Sequence, residues 1–319
     1  MRRYVIGRVL QAVGVLWAAF TLSFAVLYLL PGDPAEMAAN AATGTPVDAH
    51  AIAEMRARYG LDQPLWEQYW TALTHAVRGD LGHSINSGQT VTGALAQALP
   101  TTLELAVLAL VLALLGGAAL ALAAAYTRRS WLRNLLTALP PIGASMPQFW
   151  VGLLLLQLFS FRLKLVPAFG GTGFSGTILP AVTLALPVGA VIAQVLYASL
   201  SATWRQPFVE VAFAKGASRW WVQLRHVLRP ATAPALTVAG LWVGTILAGS
   251  VVTETVFSRP GIGRLTQESV LYQDIPVVQG IVVFASLVFV TVNLLIDLAY
   301  PLLDPRVAQR GSRKEHSHA

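Results

Sequence analysis

Three carboxylates, Glu104, Glu254 and Asp297, fall within or at the ends of long uncharged stretches, so chemistry is sought there first. An ionisable group held in an apolar phase is costly and is kept for a function or a specific partner. All three lie near the ends of their stretches, where a cap or an interfacial anchor also explains them. For Glu104 that structural role is the better reading; for Glu254 and Asp297 the two readings stand level. A proton relay needs carboxylates at mid-stretch, and those positions are apolar here, which argues against a self-powered proton-coupled carrier. The six histidines are His50, His75, His83, His226, His316 and His318. None lies in an apolar stretch, and none has the HExxH or comparable spacing of a zinc site. His316 and His318 could hold a metal weakly, but they read as decoration of a polar tail. There is no cysteine, which excludes disulfides, thiol catalysis and cysteine metal sites. The nearest approach to a phosphate-binding loop, Gly82 to Thr90, has the wrong gap and carries Gln89 where the lysine belongs. Neither an enzyme nor a bound cofactor is expected.

The elements that must position these residues are membrane spans. Of 319 residues, 55% are hydrophobic and 12% charged, against roughly 25% charged in a soluble domain. The mean hydropathy is +0.60. Six stretches are long and apolar enough to cross a bilayer, at 9–30, 105–127, 134–160, 180–203, 231–256 and 275–300. The expected fold is an all-α integral membrane protein, a single domain over 1–319 with six transmembrane helices. The first stretch is longer than a signal-peptide core, lacks a small-x-small cleavage site and ends at Pro31-Gly32-Asp33-Pro34, so it reads as a span.

Charge orients the spans. Arg2, Arg3 and Arg8 precede the first, and Arg128, Arg129 and Arg133 lie between the second and third. Arg205, Lys215, Arg219, Arg225 and Arg229 lie between the fourth and fifth, and Arg306, Arg310, Arg313 and Lys314 follow the sixth. These four segments fall on one side and hold fifteen of the 22 basic residues. The positive-inside rule then places both termini in the cytoplasm, with the net charge of +7 reporting topology rather than nucleic-acid binding. Arg162 and Lys164 are exceptions on the outer side. The outer loop 31–99 is acidic, with seven acids against three arginines, and is too long to be structureless. Trp66, Tyr69 and Trp70 fall at i, i+3 and i+4, which predicts an amphipathic helix near 64–77, lying on the membrane or capping a pore. The Gly-rich stretch 166–177 reads as a loop, Pro180 and Pro187 predict a kink in the fourth span, and the tail 307–319 is polar.

The segment 205–230 is the most informative on the inner side. Pro207 suits the first turn of a short helix, Gly216 its left-handed end, and Ser218 the cap of a second helix that runs up to Pro230. Exposed small and aromatic residues on such a pair suit docking to another protein. A basic amphipathic helix lying on anionic lipid fits the same pattern.

Ala212-x-Ala214-Lys215-Gly216, followed by Arg225-His226-x-Leu228-Arg229, resembles the EAA loop of ABC-importer permeases, in the version of the dipeptide/oligopeptide/nickel family. Leu30-Pro31-Gly32-Asp33-Pro34 resembles the stop that follows that family's first span. Tyr59-Gly60-Leu61-Asp62-x-Pro64-Leu65 and Gly79-Asp80-Leu81-Gly82-x-Ser84 resemble parts of its long outer loop. Ser145-x-Pro147-x-Phe149-Trp150-x-Gly152, then Glu254-Thr255-Val256-Phe257-x-x-Pro260-Gly261-Ile262-Gly263, then Asp297 and Asp304-Pro305-Arg306 continue the series in order. This chain departs from the family at Glu210-Val211, at Phe213, at Ala198 and at Gln273 before Asp274.

The resemblance implies a type I importer permease, one half of a pore completed by a second homologous permease. Two cytoplasmic ATP-binding subunits would drive the pore, and an extracytoplasmic substrate-binding protein would feed it. It further implies that the loop 205–230 seats a coupling helix on an ATPase, through Glu210, Ala212, Ala214, Lys215, Gly216, Arg219, Arg225 and His226. Lys215 and Arg219 would supply rim charge. Glu254, Pro260, Gly261, Gly263 and Asp274 fall on the gate or binding-protein side, and Pro31, Gly32, Asp33, Pro34, Asp297 and Asp304 are structural. The implied cargo is a di- or oligopeptide, with nickel or another small solute as the alternative and a self-contained secondary transporter as the alternative class. The implied location is the bacterial inner membrane.

Overall fold

The structure is a computed structural model, described over residues 2–29, 49–59, 62–168 and 173–303. Every regular element among these residues is helical: α1 (Arg2–Leu29), α2 (Ala49–Tyr59), α3 (Leu65–Val77), α4 (Val91–Tyr126), α5 (Ser130–Ser145), α6 (Gln148–Leu155), α7 (Phe174–Trp204), α8 (Pro207–Ala214), α9 (Arg219–Trp221), α10 (Leu228–Leu241), α11 (Val243–Val256), α12 (Ile262–Leu271) and α13 (Ile275–Leu303). Two π-helical turns, Leu156–Arg162 and Val222–Val227, continue α6 and α9. Three helices are long and apolar enough to cross a membrane, and the number rises to five if each of two bent pairs counts as one span. Ile275–Thr291 of α13 is a shorter apolar segment.

The backbone separates into two compact units, one of residues 1–101 and 260–299, the other including 102–259, with the division falling inside α4. In the first unit, Tyr69 of the amphipathic α3 sits edge-on to Phe20 and Phe24 of α1, at 5.8 and 5.3 Å between ring centroids. Its hydroxyl hydrogen-bonds with Thr21 Oγ1 at 2.9 Å. Trp66, about a turn before, and Trp70, the next residue, stay exposed, so α3 docks by its central tyrosine. A second core gathers Val91 and Leu95 of α4 with Val277 and Ile281 of α13.

In the second unit, α7 is the central helix. Leu184, Val188 and Ile192 on it pack with Leu105, Ala109 and Ala113 of α4 and with Ile246 of α11. Small residues let the backbones approach: a Cβ on Gly117 would meet the Gly189 carbonyl oxygen at 2.7 Å. Gly249 is close-packed too, since a Cβ there would lie 2.8 Å from Leu184 Cδ1.

Several boundaries differ from the sequence expectation. The helix expected at 105–127 starts at Val91, because Thr90 Oγ1 caps the Gly93 amide at 3.2 Å and Val91 is fully buried. The stretch 134–160 is two helices bent by 104° rather than one. Pro147 has no amide hydrogen and holds Met146 extended (φ −76°, ψ 131°), so the first helix stops at Ser145. The stretch 231–256 likewise breaks at Trp242 (φ −82°, ψ −4°). The loop expected over 166–177 is already helical from Phe174. α7 runs through both Pro180 and Pro187 as one helix. The second helix of the segment 205–230 does not stop at Pro230. The wide turn Val222–Val227 comes just before that proline, and the chain runs on into α10.

Candidate functional site

The loop between α7 and α10 is built as its residues dictate. Pro207 occupies the first turn of α8, where its missing amide costs nothing. Val209 and Ala212 turn inward and are buried with Leu196, Leu200, Val222 and Val227, while Phe208, Glu210, Val211, Ala214 and Lys215 stay at the surface. Gly216 ends α8 in the left-handed region at φ +84°. Its amide donates to the Phe213 carbonyl at 2.9 Å, and the Ala217 amide reaches the Ala212 carbonyl at 3.2 Å, a Schellman closure. The Ser218 hydroxyl then accepts from the Trp221 amide and starts α9. The result is an open groove of about 560 Å³, lined by Phe208, Val211, Lys215, Gly216, Trp221 and His226 among others. The His226 ring meets Trp221 edge-on at 4.6 Å, and Arg225 is exposed.

Arg219 does not project with Lys215 at the rim. Its guanidinium lies 5.4 Å from the Tyr126 ring centroid and 5.2 Å from that of Trp204. Partial burial is the main cause pushing its pKa down, with Arg128 adding repulsion; an arginine nonetheless stays charged. Phe213 stacks on Trp204 at 6.2 Å between ring centroids.

A second polar cluster in the same unit surrounds Glu254, which is fully buried on α11. Thr102 Oγ1 of α4 donates to Glu254 Oε1 at 2.7 Å. Two residues on, the half-exposed Glu104 accepts from Thr177 Oγ1 at 2.6 Å and lies 3.7 Å from Arg259. Arg259 is itself buried and donates to the Gly176 carbonyl and to Thr177 at 2.9 and 3.0 Å. At the break before α6, Gln148 Nε2 donates to Thr253 Oγ1 at 2.8 Å. Sequence reasoning singled out Glu104 and Glu254 but missed Arg259, Thr102, Thr177 and Gln148. The signal for Arg259 was a lone cation at the end of an apolar stretch with an unmatched acid, Glu104, at the end of another.

In the other unit, Asp274 is buried and accepts from the Ser84 hydroxyl and from the amides of Ile85 and Asn86, at 3.2 and 3.4 Å for the amides. It therefore pins the turn that precedes α4 to the start of α13. Gly261 is extended at the start of α12, Gly263 is buried one residue into that helix, and Pro260 is exposed. Pro31, Gly32, Asp33, Pro34 and Asp304 lie outside the described residues, as does the side chain of Asp297.

The family profile described as "Binding-protein-dependent transport system inner membrane component" matches residues 117–309, and the N-terminal membrane-component profile of the same systems matches residues 1–106. The chain belongs to this family of ABC-importer permeases. The permease is 39% identical over 307 residues to the glutathione transport system permease protein GsiC of Salmonella paratyphi A, covering 96% of this chain and 99% of the relative. It is 38% identical over the same length, with the same coverage, to GsiC of Escherichia coli (strain K12). A crystal structure of an amino acid ABC transporter with histidines matches the fold with a TM-score of 0.50 at 19% identity, over 65% of this permease and 92% of that chain. The permease is thus a membrane transport subunit and not an enzyme.

Proposed function

We propose that this permease forms one half of the pore of an inner-membrane importer for short peptides. A second permease chain completes the pore, two ATPase subunits dock on the inner side, and a substrate-binding protein docks on the outer side. Six spans with both termini in the cytoplasm suit this assembly. The bent pairs around Pro147 and Trp242 count as the third and fifth spans, and α13 as the sixth.

The observation that carries the reading is the inner loop. Its buried back (Val209, Ala212) fixes α8 to the bundle, and its exposed groove, centred on Gly216, offers an apolar floor with Lys215 at the edge. Rim charge of this kind sets partner choice and association rate more than affinity. ATP-driven closure of the ATPases would move the loop as a rigid element and alternate the pore between inward- and outward-open states. Peptide cargo is favoured because the full-length relatives at 38 and 39% identity are named for glutathione, a tripeptide.

A tagged pull-down in mild detergent tests the assembly, comparing the native chain with one whose 205–230 loop is a Gly/Ser linker. Recovery of ATPase subunits with the native chain and their loss with the linker is the expected result. A native chain that purifies alone and transports without ATP overturns the reading. Uptake of glutathione and of a di- and tripeptide set by the assembled importer tests the cargo class, and uptake of nickel in place of peptides overturns it.

A further inference from the structure

We propose that Arg219 is a positioning residue that clamps the inner loop to the ends of α4 and α7. A movement imposed on α8 is then delivered along α4 to Thr102 and Glu104; this rests on the docking role of the loop given above.

Five contacts make the clamp. The Arg219 guanidinium lies over both Tyr126, the last residue of α4, and Trp204, the last residue of α7. Trp220, next along the chain, meets Tyr126 edge-on at 5.6 Å. Phe213, at the far end of α8, stacks on Trp204 at 6.2 Å. One turn deeper, Gln223 is fully buried and its Nε2 donates to the Leu122 carbonyl of α4 at 3.0 Å. The loop therefore grips α4 at two successive turns, Leu122 and Tyr126. A guanidinium stacked on aromatic faces is planar and weakly hydrated, so it holds the rings in register where an ammonium would seek water.

α4 then acts as a rod. From Tyr126 back to Thr102 it is an uninterrupted helix of about 36 Å at 1.5 Å per residue. At that far end its side chains hold the buried Glu254 (through Thr102) and, through Glu104, Thr177 and Arg259. The stretch contains no proline, Pro100 lying just before it, and its one glycine pair, Gly116-Gly117, is held where Gly117 packs against the Gly189 backbone of α7, so displacement is carried rather than absorbed by a kink. Phe213 adds a stacking face on Trp204 to the same grip.

The chain has no cysteine, which makes paired spin labels straightforward. Labels at positions 103 and 252, both exposed and on α4 and α11, report the separation at the far end of the rod in the purified importer. With the native chain, ATP plus vanadate is expected to shift that separation. Arg219→Ala is expected to keep ATPase co-purification within about twofold while losing at least half of the shift, and Arg219→Lys is expected to restore less than half of what is lost. A full shift in Arg219→Ala with ATPases bound overturns the proposal, as does the absence of a shift in the native complex. Loss of the ATPases from Arg219→Ala alone also overturns it, because Arg219 would then be a docking residue. If the native chain itself recovers no ATPase, it is the importer reading of the loop that fails.

Discussion

The hydroxyl of Thr102 donates to the carboxylate of Glu254 across 2.7 Å, and both side chains are sealed from solvent, at 2% and 0% exposure. The pair joins α4 to α11 at the end where the backbone of α11 turns away, the Arg259 amide bonding back to the Glu254 carbonyl at 2.8 Å. Removing a donor from a buried carboxylate costs about 1–3 kcal/mol.

Thr102→Val keeps the shape and removes only the hydroxyl, so it is expected to lower the stability of the purified permease by about 1–3 kcal/mol. Glu254→Gln keeps an accepting oxygen and is expected to cost less. Thermal unfolding in detergent ranks the two, and a Thr102→Val protein as stable as the native chain would remove the hydrogen bond from the account.

Gly280 packs where no side chain fits. A Cβ there would lie 2.4 Å from Val91 Cγ1, with Leu81 Cδ1 at 3.4 Å behind it. Gly280→Ala is expected to cost about 1–3 kcal/mol by overpacking. Because the obstacle is one methyl group, Val91→Ala in the same chain is expected to recover part of the loss. A double variant no better than the single one, in the same unfolding measurement, would place the strain elsewhere.

Much of this was legible in the residue types. The segregation of charge marks the apolar helices, and Pro207, Gly216 and Ser218 each stand at the helix boundary their chemistry favours. The spacing of Trp66, Tyr69 and Trp70 announces α3, although not that Tyr69 would turn inward while both tryptophans stay outside. Hydropathy could not reveal the break at Pro147, because the apolar run continues through it; the signal was the proline and its effect on Met146. Nor could spacing bring Arg259 to Glu104, or Arg219 to Tyr126 and Trp204, since these contacts join residues far apart in the chain. Asp274 shows the same limit. The family pattern could mark it, but its grip on Ser84, Ile85 and Asn86 belongs to tertiary structure alone.

Asp80 confers an acid sensitivity on the turn before α4. The Gly82 amide donates to Asp80 Oδ1 at 2.9 Å and is the main cause holding the carboxyl below its ordinary value, with His75 at 3.2 Å assisting. A carboxyl whose pKa is lowered by folding stabilises the native turn above its unfolded value. It loses that stabilisation as pH falls through the lower native one. Hydrogen exchange at Gly82 is therefore expected to lose protection below about pH 4, near the ordinary value for an aspartate. Asp80→Asn is expected to flatten that dependence, and an unchanged pH profile in Asp80→Asn would assign the acid sensitivity to another group.

Gly216 holds a backbone conformation in the loop between α7 and α10 that a side chain disfavours. At φ +84° a residue with a Cβ pays about 1–2 kcal/mol, whereas nothing lies within 4 Å of the space a methyl would fill. Gly216→Ala is therefore expected to weaken ATPase-dependent uptake through the backbone alone, without a clash. Gly216→Pro is more severe. Its ring fixes φ near −65° and removes the amide that donates to the Phe213 carbonyl at 2.9 Å, so the Schellman closure cannot form. Membrane insertion depends on the apolar helices and is expected to survive. The expected outcome is a protein present in the membrane at native level, with uptake abolished in Gly216→Pro and reduced in Gly216→Ala. Native uptake by Gly216→Pro, at matched membrane abundance, would break the link between this turn and transport.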